Sequence, residues 1–128
     1  MNTKNQFGEV LRDLRIKAGF GLKEFAKKIG MQASNLSFIE NGRVSPPRKA
    51  ETLEVMAQAL GLKEGSEEWA LFFDGAAKPG EIPADVRKNK HISEFIPLLC
   101  RTISTSKLNK EQIQQLIKKA RDFKPHHE

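Results

Sequence analysis

The sequence predicts an all-α protein. Apolar residues recur at helical spacing in six separate stretches, glycines and capping residues punctuate the gaps, and no stretch alternates apolar and polar residues long enough to form a strand. Phe7, Val10, Leu11 and Leu14 fall at i, i+3, i+4 and i+7 and predict a first helix, closed by Gly19-Phe20-Gly21. Leu22, Phe25, Ala26 and Ile29 repeat the spacing, and Gly30 ends that helix. A third, short helix from about Gln32 stops at Asn41-Gly42, as a left-handed C-terminal stop would. Ser45-Pro46-Pro47 reads as the start of a fourth, with Ser45 as cap and proline near the first helical position; its stripe is Leu53, Met56, Ala57 and Leu60, and Gly61 closes it.

Ser66, followed by Glu67 and Glu68, predicts the cap of a fifth helix carrying Trp69, Phe72, Phe73 and Ala76, since acid in the first turn suits the helix dipole. Two prolines and a glycine in Lys78-Pro79-Gly80-Glu81-Ile82-Pro83 mark a linker. Ile92, Phe95, Ile96 and Leu99 form a further stripe, with Pro97 placed early in its helix, where a missing donor costs little, or marking a kink. Asn109 and Gln112 have the spacing of a capping box for a last helix, whose stripe is Ile113, Leu116, Ile117 and Ala120.

A chain of 128 residues makes one domain, or a minimal domain with a helical appendage, and buries enough surface to need no disulfide or metal staple. Its single cysteine, Cys100, cannot form an internal disulfide, and no Cys/His cluster has metal-ligand spacing, so reducing cytoplasm is the expected compartment. There is no signal-peptide core and no apolar run near the roughly 20 residues that span a bilayer. Net charge is +6, unevenly spread. Residues 1–62 hold ten Lys/Arg against six Asp/Glu, 63–82 two against five, and 83–128 ten against five. Two basic segments therefore flank a short acidic, aromatic one, which favours a polyanionic partner. Asp85, Glu94 and Glu111 lack the partner spacing of acid–base chemistry, Cys100 reads as buried filler, His91 as exposed, and His126 and His127 as tail residues. No catalytic residue, metal or cofactor is expected, and the chain is not read as an enzyme.

The stretch GLKEFAKKIGMQASNLSFIENGR, Gly21 to Arg43, is a short amphipathic helix, a glycine turn and a second short helix. Phe25, Ala26 and Ile29 can pack against Met31, Leu36 and Ile39, and small Ala26 lets the helices approach closely. One face of the second helix is left free of core duty and carries Gln32, Ala33, Ser34, Ser37 and Phe38, although Phe38 also fits a core role. Small and polar groups at a helix N-terminus can enter a major groove and touch base edges.

From about Phe7 to Leu62 the sequence resembles the Cro/CI-like, or XRE-type, helix-turn-helix domain of phage repressors and bacterial regulators. The similarity runs through Leu11, Arg15 and Gly19, through Phe25-Ala26 and Ile29-Gly30, through Leu36, Ile39-Glu40 and Gly42-Arg43, and through Leu53, Met56-Ala57 and Leu60-Gly61. It implies a five-helix lambda-repressor-like domain with a C-terminal helical extension, divided as residues 1–62, a helix and linker over 63–82, and a dimerisation or partner-binding region over 83–128. It implies that Gln32, Ala33, Ser34, Ser37 and Phe38 read bases, that Asn41, Arg43 and Arg48 contact phosphates, and that Arg15 and Glu40 form an internal salt bridge. The family's Ser/Thr cap and Gln at the start of the second helix are replaced by Gly21 and Leu22; Lys23 can supply the phosphate contact's charge but not its geometry. With no arginine on the reading face, an A·T-leaning half-site is expected.

The stripe Ile113, Leu116, Ile117 and Ala120 is too short for a coiled coil alone and is expected to bury itself across a two-fold axis, or else to cap the core within one chain. The implied function is a homodimeric repressor, acting on its own operon, that binds an inverted-repeat operator in double-stranded DNA. The rival is an antitoxin or phage-encoded inhibitor whose C-terminal half binds a protein partner. RNA binding is disfavoured, because no stacking platform on a sheet is present.

Overall fold

The computed structural model describes residues 6–123; His126 and His127 lie outside them. Among the described residues the chain forms eight helices and no strand: α1 (Gln6–Lys17), α2 (Leu22–Lys28), α3 (Ala33–Glu40), α4 (Ala50–Ala59), α5 (Glu67–Ala76), α6 (Ala84–Arg87), α7 (Lys90–Thr105) and α8 (Lys110–Asp122). The chain divides into two compact units that part between Asn89 and Lys90.

In the first unit each amphipathic helix turns its stripe into one shared core. α1 contributes Phe7, Leu11 and Leu14, α2 Phe25 and Ala26, α3 Leu36 and Ile39, and α4 Leu53, Met56 and Ala57, with Leu60 just after it. α5 adds Phe72 and Phe73, both fully buried, and α6 adds Ala84. The Phe7 and Phe72 rings lie 5.3 Å apart, and Phe73 meets Phe72 edge-on. α5 is therefore part of the core, and the boundaries expected at residues 62 and 82 both fall inside this unit. Three of the five acids of 63–82, Glu67, Glu68 and Asp74, lie on α5, whose Phe72 and Phe73 face inward, while Glu64 and Glu81 lie outside the helix.

Several ends form as expected. The Ser66 hydroxyl accepts the Trp69 N–H at 3.2 Å, and Asn109 and Gln112 exchange side-chain and backbone bonds at 2.8 and 3.0 Å. One expectation fails, and one alternative is decided. Ser45 caps nothing: α4 begins at Ala50, with Lys49 as its cap residue and no side-chain bond. A proline disfavours the helical conformation of the residue before it, so Pro46-Pro47 holds back the helix that Ser45 was expected to start. Pro97 lies in the interior of α7, which begins at Lys90, so the helix lacks one backbone donor midway.

The second unit holds α7 and α8, joined by a turn in which Lys107 takes a positive φ of 53°. Neither helix buries a residue. Cys100 is exposed rather than buried, because the apolar stripe it borders has no core to enter. On α8, Ile113 is half-buried, and Leu116, Ile117 and Ala120 are exposed.

At Gly8 the backbone of α1 comes close to that of α3. A methyl group there would lie 2.6 Å from the Ile39 carbonyl oxygen and nearer still to that of Glu40, so α1 can meet the end of α3 only through a glycine. At an unconstrained helix position Gly→Ala stabilises by up to about 1 kcal/mol. Gly8→Ala is expected to act with the opposite sign, costing about 1–3 kcal/mol as the helices are forced apart. Urea unfolding midpoints of the two proteins check this, and an unchanged or higher midpoint would refute it.

Candidate nucleic-acid interface

α2, the Gly30 turn and α3 form one rigid piece. Gly30 takes φ +73°, the Met31 N–H reaches the Ala26 carbonyl at 2.8 Å, and Phe25, Ala26, Leu36 and Ile39 are buried between the helices and the core. Gly21 offers no side-chain cap to α2, but Glu24 turns back to accept the Gly21 N–H at 3.3 Å. This partial substitute for the missing cap was legible as an acid three residues into the helix.

The last turn of α3 is fixed to α1 by a buried ion pair. Arg15 Nε donates to Glu40 Oε2 at 2.7 Å and Nη2 to Oε1 at 3.0 Å, while Nη1 donates to the Phe20 carbonyl at 2.9 Å. The pair is about nine-tenths buried, and the hydrogen bond to Glu40 raises the pKa of Arg15 against the opposing effect of burial. These two residues are structural, as the resemblance implied.

At its other end α3 is open. Gln32 is the cap residue, exposed and in an extended conformation, and its side chain makes no cap bond. Ser34 is exposed, and Phe38 is 41% exposed, which settles its alternative in favour of the outer face. Ala33 is half-buried and packs against the core, so it presents only part of its surface. Ser37 is half-buried and receives the Asn41 amide, whose Nδ2 donates to its carbonyl at 2.9 Å and lies 3.3 Å from its hydroxyl. Asn41 thus closes the C-terminus of α3 with the amide expected to meet a phosphate. Asn35 was missed. It is exposed one residue after Ser34 and three before Phe38, and the signal for it was that same helical spacing.

The exposed face of α3 (Gln32, Ser34, Asn35, Phe38 and Asn41) carries no charge. Cations stand beside it in sequence: Lys23 and Arg43 are exposed, and Lys28 lies over the Phe20 ring at 5.6 Å. Arg48 differs from the other expected phosphate contacts. Its guanidinium forks onto Glu81 of the linker, with Nη1 at 3.0 Å from Oε1 and Nη2 bonded to Oε2. Arg87 stands 3.8 Å from the same carboxylate and donates to the Arg48 carbonyl. Among the described residues no group of three or more acids, histidines or cysteines could hold a metal, and no helix is long and apolar enough to cross a membrane.

Two measurements check these ion pairs. Arg15→Met leaves the Glu40 carboxylate buried without its partner and is expected to cost about 3–5 kcal/mol in urea unfolding, most of which Arg15→Met/Glu40→Leu restores. Equal losses in both variants would show that the pair contributes no coupling. Glu81 is pulled from 4.5 down to about 2, first by Arg48 and then by the Lys78 N–H. A depressed carboxylate stabilises the fold above its unfolded pKa and loses that contribution as pH falls through its folded one. Thermal midpoints should therefore drop on acidification from about pH 5 to about pH 2.5, and Glu81→Gln should remove this part of the drop.

Residues 6–70, just over half of the chain, match the family model described as a helix-turn-helix domain. Among solved structures, the crystal structure of the clp gene regulator ClgR from C. glutamicum is similar at 25% identity, with a TM-score of 0.46, over 59% of this chain and 91% of that one. No curated protein matches significantly.

Proposed function

We propose that this chain, which belongs to the helix-turn-helix domain family and binds DNA as a transcription regulator, is a dimeric repressor that reads an inverted-repeat operator with α3 in the major groove. The observation that carries this reading is the outward face of α3. Its exposed residues are small, polar or aromatic and uncharged, while Arg15 and Glu40 fix the opposite end of the same helix to the scaffold. A helix held at its C-terminus and open at its N-terminus can enter a groove about 12 Å wide.

Each side chain then has a chemical role. The amides of Gln32 and Asn35 match the donor and acceptor of adenine, Ser34 bonds to several bases, and Phe38 and the exposed part of Ala33 meet thymine methyls. Lys23 and Arg43 supply phosphate contacts that release counterions and give most of the affinity without choosing a sequence. Arg48 joins them only by leaving Glu81. Two copies place their α3 helices about 34 Å apart, so half-sites are centred one helical turn apart. A promoter covered in this way excludes polymerase. Repression of the chain's own operon in the cytoplasm is the output.

Gel shift and footprinting on DNA upstream of the chain's own gene test the proposal. A protected, A·T-leaning inverted repeat is expected; uniform weak binding with no footprint would sink it. Ser34→Arg is expected to change which sequence is selected from a random pool. Arg43→Ala should weaken cognate and random DNA alike and flatten the salt dependence by about one unit. Equal losses on both DNAs from both variants would contradict the division between reading and anchoring residues.

A further inference from the structure

The second unit leaves a specific surface uncovered. At about 100° per residue, Leu98, Phe95, Leu99, Ile103, Ile96 and Cys100 sweep roughly 200° of the circumference of α7. A helix lying on one core needs an apolar stripe of only about 100°. The only charged residues of α7 after Lys90 are Glu94 and Arg101, seven apart and both on the opposite side. Exposure varies across the apolar arc. Ile96 and Ile103 are half-buried, with Cys100 exposed beyond them, whereas Phe95, Leu98 and Leu99 on the other side are 56%, 63% and 48% exposed. The Phe95 ring meets His91 edge-on at 5.9 Å. Together these three side chains expose on the order of 300 Å² of apolar surface, the size of patch that marks an interaction site. A unit of under about 40 residues whose described residues include no buried side chain has no core of its own to hold it, and such units ordinarily rely on assembly.

We propose that a second copy of this chain docks on this open edge of α7, with Phe95, Leu98 and Leu99 meeting the same residues of that copy about a two-fold axis. The charge pattern suits this occupant. An isologous contact brings each side chain against itself or its near neighbours, so a charge within the face would meet its like. Each copy carries a net charge of +6 overall, so a self-contact must lie where no Lys or Arg intrudes, and the open edge of α7 has neither. The stripe of α8, from which dimerisation was expected, fails this condition. Lys110 and Arg121 flank Ile117 on one side of it, and two such stripes would bring cations together. This deepens the dimeric reading above by naming the joint, and rests on that reading only for the presence of two copies.

The test is sedimentation of the full chain without DNA across the micromolar range. The unaltered chain is expected to be a dimer. Phe95→Glu/Leu98→Glu should raise the dimer dissociation constant at least about tenfold, with helix content unchanged by circular dichroism. Phe95→Ala/Leu98→Ala should shift it in the same direction, and Leu116→Glu/Ile117→Glu should leave it within about threefold. An unaltered chain that stays monomeric, or one that dimerises only with an unrelated protein, overturns the proposal. So does a Phe95→Glu/Leu98→Glu variant that dimerises as tightly as the parent. A gel shift of the same variants on a single half-site reports α3 separately, so failure of this joint is distinguishable from failure of the DNA-reading proposal.

Discussion

Glu40 is the last residue of α3, and its carboxylate is held almost out of water by Arg15, two turns along α1 from Gly8. A guanidinium bonded through two nitrogens to both carboxylate oxygens fixes orientation as well as distance, because both groups are planar. The third contact, to the Phe20 carbonyl, ties the same guanidinium to the loop that leads into α2. Gly8 sets the depth, bringing α1 onto the Ile39 and Glu40 carbonyls at a separation no other residue permits. Direction and depth are thus both set at one end of an eight-residue helix. What projects from the other end follows from helical geometry alone.

Much of this was legible in the sequence, for reasons that differ by residue. Arg15 and Glu40 were read through a family resemblance; spacing alone gave no reason to pair residues 25 apart. The caps at Ser66 and Asn109 are local chemistry, complete within four residues, and they formed as read. Ser45 misled because a serine before proline fits a cap, while the second proline acts on the first and removes the helical start. The role of Gly8 was invisible, because a glycine in a helical stretch declares a close approach only when the approaching element is known. The unit boundary was missed for a related reason. The division at residue 62 set Phe72 and Phe73 outside the first domain, yet the core of the first four helices is completed only by these rings.

Asn41 and Arg48 mark the limit of carrying roles over by position. Both stand where the resemblance implies phosphate contacts, and both have their donors engaged within the chain, Asn41 by Ser37 and Arg48 by Glu81. Ser37 lies four residues back in the same motif, whereas the partner of Arg48 could not be anticipated from it. Glu81 lies in a linker 33 residues away, and its recruitment depends on α5 and α6 packing onto α4. The linker was legible as a break in helical pattern but not as the source of a counter-charge.

These engaged donors bear on how the two units divide the work. With Arg48 neutralised, the exposed cations beside α3 reduce to a few, and each phosphate contact adds only about one counterion's worth of salt-dependent affinity. The reading face is uncharged and spans roughly two turns of helix, enough to distinguish a handful of base pairs. A single copy therefore combines modest affinity with a short recognition length. Joining two copies makes the second binding event intramolecular and doubles the sequence read, with no new kind of contact to DNA. In the proposed dimer the first unit supplies a rigid reading edge and the second, which has no core of its own, supplies the joint. A lone second unit leaves apolar surface in water, and in that proposal the association that covers it also brings two reading edges to one operator.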